Sequence, residues 1–310
     1  MKHLYKKILG LIILLVLIAW LINYSLNNYE SFKNISFINP WLLIIIAIIF
    51  VTAYIPGSLI NYYSFLPLGL RLKPFESYGL AIITGFYNLI TPFRGGMAAR
   101  AVYLKKKYNF TYANFLATLA ASYVLIFFIA AILGLFGILS IYLHTGVINW
   151  LFGILFSGLF LVLLFVIAFS PKLPTTRYNW LNRFIEVING WNIISKNKKI
   201  ILAISIMSLL QIILGAISLF LQFKVFGTTI SYGAAIFLAS MGYLSLLISI
   251  TPAGLGINEA ILVFSASTLG ITTVQSLSAA LAGRFVSLVV LFILGPIFSY
   301  FLMKKRINEN

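Results

Sequence analysis

The chain has 310 residues, 62% hydrophobic and 9% charged, with a mean hydropathy of +1.06, which excludes a soluble globular domain and points to a polytopic membrane protein. Its 22 Lys and Arg against 5 Glu and no Asp give a net charge of +17. The cations flank apolar runs, so membrane topology and anionic lipid account for them and no nucleic-acid partner is expected. The absence of cysteine excludes disulfides, thiolate chemistry and Cys-based metal sites.

In chain order, nearly uncharged runs fall at about 8–26, 41–66, 112–143, 147–170, 200–223 and 274–303. Each is long enough to cross roughly 30 Å of hydrocarbon. The first follows Lys2, Lys6 and Lys7 with no small-residue cleavage site behind it, and reads as an uncleaved helix. Two further stretches, 75–92 and 232–250, run into breaks rich in glycine and proline.

Cytoplasmic loops collect Lys and Arg, so the N-terminus "MKHLYKK", the segment 171–199 and the C-terminus "MKKRINEN" are expected inside, and the cation-poor loops 27–39, 144–149 and 224–231 outside. A full crossing by 75–92 would strand Arg94, Arg100 and Lys105 to Lys107 on the outer side. A re-entrant hairpin removes the conflict: 75–92 enters from the cytoplasm, turns at "TPFRGG" and returns through a short arm ending at the three lysines. The same reading at 232–270, with its turn at "TPAGLG", gives a second hairpin entered from outside. Non-helical backbone at depth is tolerated where protein or a wet cavity satisfies its amides. The expected fold is an all-α polytopic protein of the cell membrane with six crossings, two re-entrant helical hairpins and both termini cytoplasmic.

The two breaks match. Thr91, Pro92 and Gly96 lie 160 residues before Thr251, Pro252 and Gly256, with an odd number of crossings between them, so the chain reads as one membrane domain over 1–310 with an inverted-topology repeat. The halves are about 41–143 and 200–303, joined by 171–199. Within that joint, Leu181, Phe184, Ile185, Ile188 and Trp191 recur at helical spacing, which predicts an amphipathic helix in the cytoplasmic interface.

The breaks carry the candidate site. Pro92 and Pro252 stop the entering arms, and Gly95, Gly96, Gly254 and Gly256 permit positive φ and close approach, with Thr91 and Thr251 completing the tips. A helix starting after Gly96 or Gly256 aims its positive dipole end inward, where it attracts an anion. Arg94 at the first tip, Arg100 on the returning arm and Arg284 in "SLSAALAGRFVSLVVLFILG" are the candidate phosphate ligands, since arginine's planar fork suits phosphate oxygens and intramembrane arginine is functional by default. Glu259 falls three residues after Gly256. There it orders the tip as a capping carboxylate, couples a cation or proton, or pairs with Arg284. Paired carboxylates, a histidine beside an acid and a phosphate loop are all absent, so no catalytic residues, cofactor or metal are expected and the chain does not read as an enzyme.

"TPFRGGMAARAVYLKKKYNFTYANFLATL" together with "SITPAGLGINEAILVFSASTLGITTVQSLSAALAGRF" resembles the lysylphosphatidylglycerol synthase transmembrane region, also called the flippase-like or UPF0104 family. The second motif is the more specific, with Pro252, Gly254, Gly256, Glu259, Gly270 and Arg284 matching as they stand. The first departs: the family tends to have an acid where Met97 stands and a charged cluster where Ala121 and Ser122 stand. The resemblance implies movement of a phosphate-bearing lipid between leaflets, such as an aminoacylated phospholipid or a polyprenyl-phosphate-linked sugar, without the synthesis performed by a separate soluble domain. It admits a partner enzyme of lipid or glycan synthesis. The alternatives are a small-solute secondary transporter on the same plan and a non-transporting accessory subunit of a lipid or glycan synthesis system.

Overall fold

The computed structural model describes residues 37–91, 95–170, 172–178, 181, 182, 185, 189–248 and 251–307. Within these residues the protein is helical, without strands: α1 Leu42–Phe65, α2 Pro74–Ile90, α3 Gly95–Tyr108, α4 Tyr112–Thr145, α5 Trp150–Phe169, α6 Lys198–Val225, α7 Tyr232–Leu244, α8 Ile257–Ser267 and α9 Thr273–Ile307. Among the described residues, five helices are long and apolar enough to cross a membrane, namely α1, α4, α5, α6 and α9. Their bounds lie within a few residues of the expected runs, because the length of an apolar run is set by the solvent it must cross. The sixth expected crossing, 8–26, lies outside the described residues.

The remaining four helices are short. At 1.5 Å per residue, the 17 residues of α2 reach roughly 25 Å and the 14, 13 and 11 residues of α3, α7 and α8 reach roughly 21, 20 and 17 Å, all less than the roughly 30 Å of hydrocarbon. They pair as α2 with α3 and α7 with α8, each pair folded back on itself across a break.

Two apolar clusters fix where these hairpins open and close. One gathers Phe65 at the end of α1, Leu70 and Leu72 before α2, Leu104 near the end of α3, Phe110 just before α4, Phe115 in its first turn, and Leu302 late in α9. The other gathers Phe152 at the start of α5, Phe223 at the end of α6, Phe237 in α7 and Ala266 at the end of α8, with Ile141 late in α4 packed against it. Because α4 runs from the first cluster to the second, the first hairpin begins and ends at one end of the bundle and the second at the other.

Helices from the two halves of the chain pack against each other. α1 lies against α6, α2 against α9, and α4 against α7. Glycines bring these helices close, as is usual where apolar tails offer no hydrophobic drive. A Cβ on Gly137 of α4 would come within 2.8 Å of the Phe237 amide nitrogen, and one on Gly295 of α9 within 2.3 Å of the Phe86 ring. The chain preceding α1 is pinned to the end of α6, where Ile38 and Asn39 donate to the Val225 carbonyl at 2.9 and 3.1 Å. The described end of the expected outer segment 27–39 therefore meets the start of 224–231.

The interfacial helix expected in 171–199 falls partly outside the described residues, Phe184 and Ile188 among them. Of its described apolar positions, Leu181 is half-buried and the other two are covered by protein. Ile185 and Trp191 are buried, Trp191 packs with Val124 and Leu163, and its indole Nε1 donates to Ser170 Oγ at 3.0 Å. Trp41 and Trp150, near the expected outer ends of their helices, are exposed.

Candidate functional site

At the second break, α7 ends in a short 3-10 turn, Ser245–Leu247, and the chain turns through a second one, Pro252–Gly254. Ala253, Gly254 and Gly256 all hold positive φ, at +47°, +68° and +81°, so the glycines occupy conformations costly to other residues and Ala253 is held in one by its surroundings. Thr251 Oγ1 donates to the Leu255 carbonyl at 2.8 Å, bracing the turn. Gly256 caps α8, and its amide donates to Glu259 Oε2 at 2.7 Å, the reach-back expected of a carboxylate at the third helical position.

The other oxygen of Glu259 faces the last helix. Arg284 donates from Nε at 2.9 Å and from Nη2 at 2.6 Å to Glu259 Oε1, and from Nη1 at 3.2 Å to the Ala253 carbonyl. Of the roles open to Glu259, the structure realises two together, tip ordering and the Arg284 pair. With side-chain exposures of 14% and 7%, the two charges are withdrawn from solvent and stabilised by each other and by fixed backbone dipoles. Asn258 extends the network, accepting from Ser245 Oγ at 2.7 Å and donating to the Ala253 carbonyl at 3.2 Å.

The first hairpin is fastened at both ends. At the tip, the Gly96 amide donates to Asn88 Oδ1 at 2.9 Å, and a Cβ on Gly96 would lie 2.0 Å from the Thr84 carbonyl oxygen, so only glycine fits. Thr91 Oγ1 donates to the Tyr87 carbonyl as α2 ends, beside Gly95. At the base, buried Glu76 accepts from Tyr108 at 2.6 Å, Tyr103 at 2.7 Å and Lys107 at 3.2 Å. One of the three lysines assigned to topology alone thus closes an ion pair. Sequence reasoning passed over Glu76, although its rarity in an acid-poor chain and its place just after Pro74 were available signals. Pro92 and Arg94 lie outside the described residues.

Between the hairpins lies a cavity of about 680 Å³, lined by residues of both tips and of α1, α4, α6 and α9. Arg100 and the Arg284–Glu259 pair line it. Arg100 is 6% exposed, stacks its guanidinium over the Phe115 ring at 5.2 Å, and keeps a buried Nε with no hydrogen-bond partner among the described residues. Tyr123, also on the lining, donates to Met97 Sδ at 3.8 Å. Gln211, Gln222, Asn61 and Asn88 add carboxamides. The structure therefore brings Arg100, Arg284, Glu259 and Gly254 to one chamber. No group of three or more potential metal ligands occurs among the described residues.

A helical membrane bundle in which two opposed, broken-helix hairpins meet at a largely apolar chamber that carries two arginines, a glutamate and carboxamides defines the class of this protein. The chain belongs to the lysylphosphatidylglycerol synthase TM region family, whose model matches residues 7–295. No curated protein matches it. The family is one of membrane proteins with a lipid-related function.

Proposed function

We propose that this protein moves a phosphate-bearing lipid between the leaflets of the cell membrane. The observation that carries the reading is Arg100, a buried guanidinium on the lining of a chamber of about 680 Å³, its Nε without a hydrogen-bond partner among the described residues. Pockets of 300–1,000 Å³ are the usual range for a small ligand, and a buried arginine with donors to spare is a phosphate ligand in waiting. A phosphate-bearing lipid, such as an aminoacylated phospholipid or a polyprenyl-phosphate-linked sugar, is held by its head while the tails stay in lipid. Arg94 and Arg284 assist, Arg284 from its place on Glu259.

In this reading both hairpins are re-entrant, the first from the cytoplasm and the second from outside, and both termini are cytoplasmic. The packing pairs favour an inverted repeat. Exchanging α1, α2 and α4 with α6, α7 and α9 maps α1 on α6 to itself and turns α2 on α9 into α7 on α4. An inside-negative potential favours outward movement of a singly anionic head by roughly 2.3 kcal/mol per 100 mV.

The test is reconstitution into liposomes carrying a fluorescent phosphatidylglycerol, with leaflet exchange followed by a membrane-impermeant quencher. Exchange faster than in empty liposomes and lost in Arg100→Gln is expected. Uptake of a soluble solute without lipid exchange would replace this reading with a solute transporter, and neither activity would leave an accessory subunit.

A further inference from the structure

Resting on that reading and narrowing the substrates it admits, we infer that the chamber selects a singly anionic, hydroxyl-bearing phosphodiester head and rejects its aminoacylated, cationic counterpart. Among the described residues, the charged side chains on its lining are Arg100, Arg284 and Glu259, two cations and one anion, so the chamber carries a net charge of +1. The single carboxylate is spent: Oε1 holds the Arg284 guanidinium and Oε2 holds the Gly256 amide. The charge open to a ligand is therefore that of Arg100.

A phosphodiester contributes one negative charge, which Arg100 matches. A lysyl ester adds two ammonium groups to the same head. Each would need a carboxylate or several strong acceptors once desolvated, and each would be repelled by Arg100. The whole chain carries only five acidic side chains, and of the two among the described residues the other, Glu76, is committed to Tyr103, Tyr108 and Lys107 at the hairpin base. The acid the family tends to have near the first tip is absent, since that position is Met97 and meets Tyr123.

The rest of the lining suits hydroxyl groups. Gln211 makes no hydrogen bond to another described residue, so its carboxamide has both donors and its acceptor to offer. Gln222, Asn61, Asn88 and Tyr54 stand on the same wall or opposite it. Carboxamides hydrogen-bond a polyol through donor and acceptor alike, without net charge. A glycerol or sugar attached through one phosphate meets this arrangement, whether lipid-linked or free.

The experiment is native mass spectrometry of the full chain in detergent, titrated separately with short-chain phosphatidylglycerol, its lysyl ester, and glycerophosphoglycerol, the same head without tails. Wild type is expected to bind phosphatidylglycerol at least about tenfold more tightly than the lysyl ester, the scale on which a like-charge contact discriminates. Arg100→Gln is expected to collapse that ratio, and the near-isosteric Gln222→Glu, which adds a carboxylate to the lining, to shift it toward the lysyl ester. Glycerophosphoglycerol binding as tightly as the lipid would make the free head the ligand; much weaker binding would make it the lipid. Equal or tighter binding of the lysyl ester by wild type overturns the selection while leaving lipid carriage in place. Phosphatidylglycerol binding that ignores Arg100→Gln in a variant of normal size-exclusion profile overturns both.

Discussion

Tyr123 reaches Met97 across the first hairpin as Arg284 reaches Glu259 across the second: each pair joins the third residue of a returning arm to the twelfth residue of the long helix that follows. The first contact is neutral, a hydroxyl on a thioether, and the second is an ion pair. One tip is therefore locked by charge and the other by glycine packing and an asparagine, and the two respond differently to substitution.

Glu259→Gln leaves the Arg284 guanidinium without its charge partner in a desolvated site, and loss of one member of a buried pair costs about 3–5 kcal/mol. A thermal-shift assay in detergent should show a large fall in melting temperature. The double variant Glu259→Gln with Arg284→Gln should recover a substantial part of it, because no lone buried charge remains. Additive losses would show that the two residues act independently.

Two glycines should behave oppositely. Gly96→Ala drives a methyl group into the Thr84 carbonyl at 2.0 Å, forcing the two arms of the first hairpin apart at a cost of about 1–3 kcal/mol. Gly153→Ala in α5 meets nothing within 4 Å and should stabilise its helix by up to about 1 kcal/mol. Melting temperatures of the two variants measured side by side check both signs.

Gly242 lines the chamber, and a Cβ there has open space for 4 Å around it. Gly242→Leu should therefore project into the chamber with its Cβ displacing no neighbour. Leaflet exchange in liposomes is expected to drop about tenfold or more, because the added group occupies part of a ligand's volume, while stability followed by thermal shift stays within about 0.5 kcal/mol of wild type. Unchanged exchange would place the path elsewhere.

Burial of Glu76 alone would raise its carboxyl. The hydrogen bonds from Tyr108, Tyr103 and Lys107, with the Lys107 charge, outweigh this and hold it below the ordinary 4.5. The folded carboxyl thus ionises more readily than the unfolded one. Its stabilisation is complete above about pH 4.5 and is lost as pH falls through the lower folded value. Melting curves between pH 7 and roughly pH 3 should show wild type losing stability faster than Glu76→Gln on the acid side, the two converging at the lowest pH.

Much of this architecture was legible from sequence because lipid is a demanding solvent. Five apolar spans long enough to cross a membrane could be bounded to within a few residues, and Pro252, Gly254 and Gly256 announced a break that a continuous helix would not contain. The Glu259 to Gly256 reach-back followed from spacing alone. Contacts between distant segments were harder. The Arg284 partner was one of several options for Glu259, 25 residues away. The Tyr103 and Tyr108 hydroxyls on Glu76 had no signal at all, since tyrosine at a membrane surface is too common to single out. Trp191 misled for a related reason. Its helical spacing distinguished an apolar face but not whether lipid or protein covers it.

The two sides of α5 live in different company. Leu151, Ile154, Leu161, Val162, Phe165 and Phe169 face outward, while Phe152, Phe156, Leu163 and Val166 hold it to the bundle, Phe156 so closely that a Cβ on Gly134 would stand 2.4 Å from its ring. Acyl chains distinguish little between one apolar side chain and another, whereas a packed ring accepts few substitutes. Over generations the outward residues would drift freely among leucine, isoleucine, valine and phenylalanine, and the inward ones would change only in step with the residues they touch, so that a single helix keeps two evolutionary clocks.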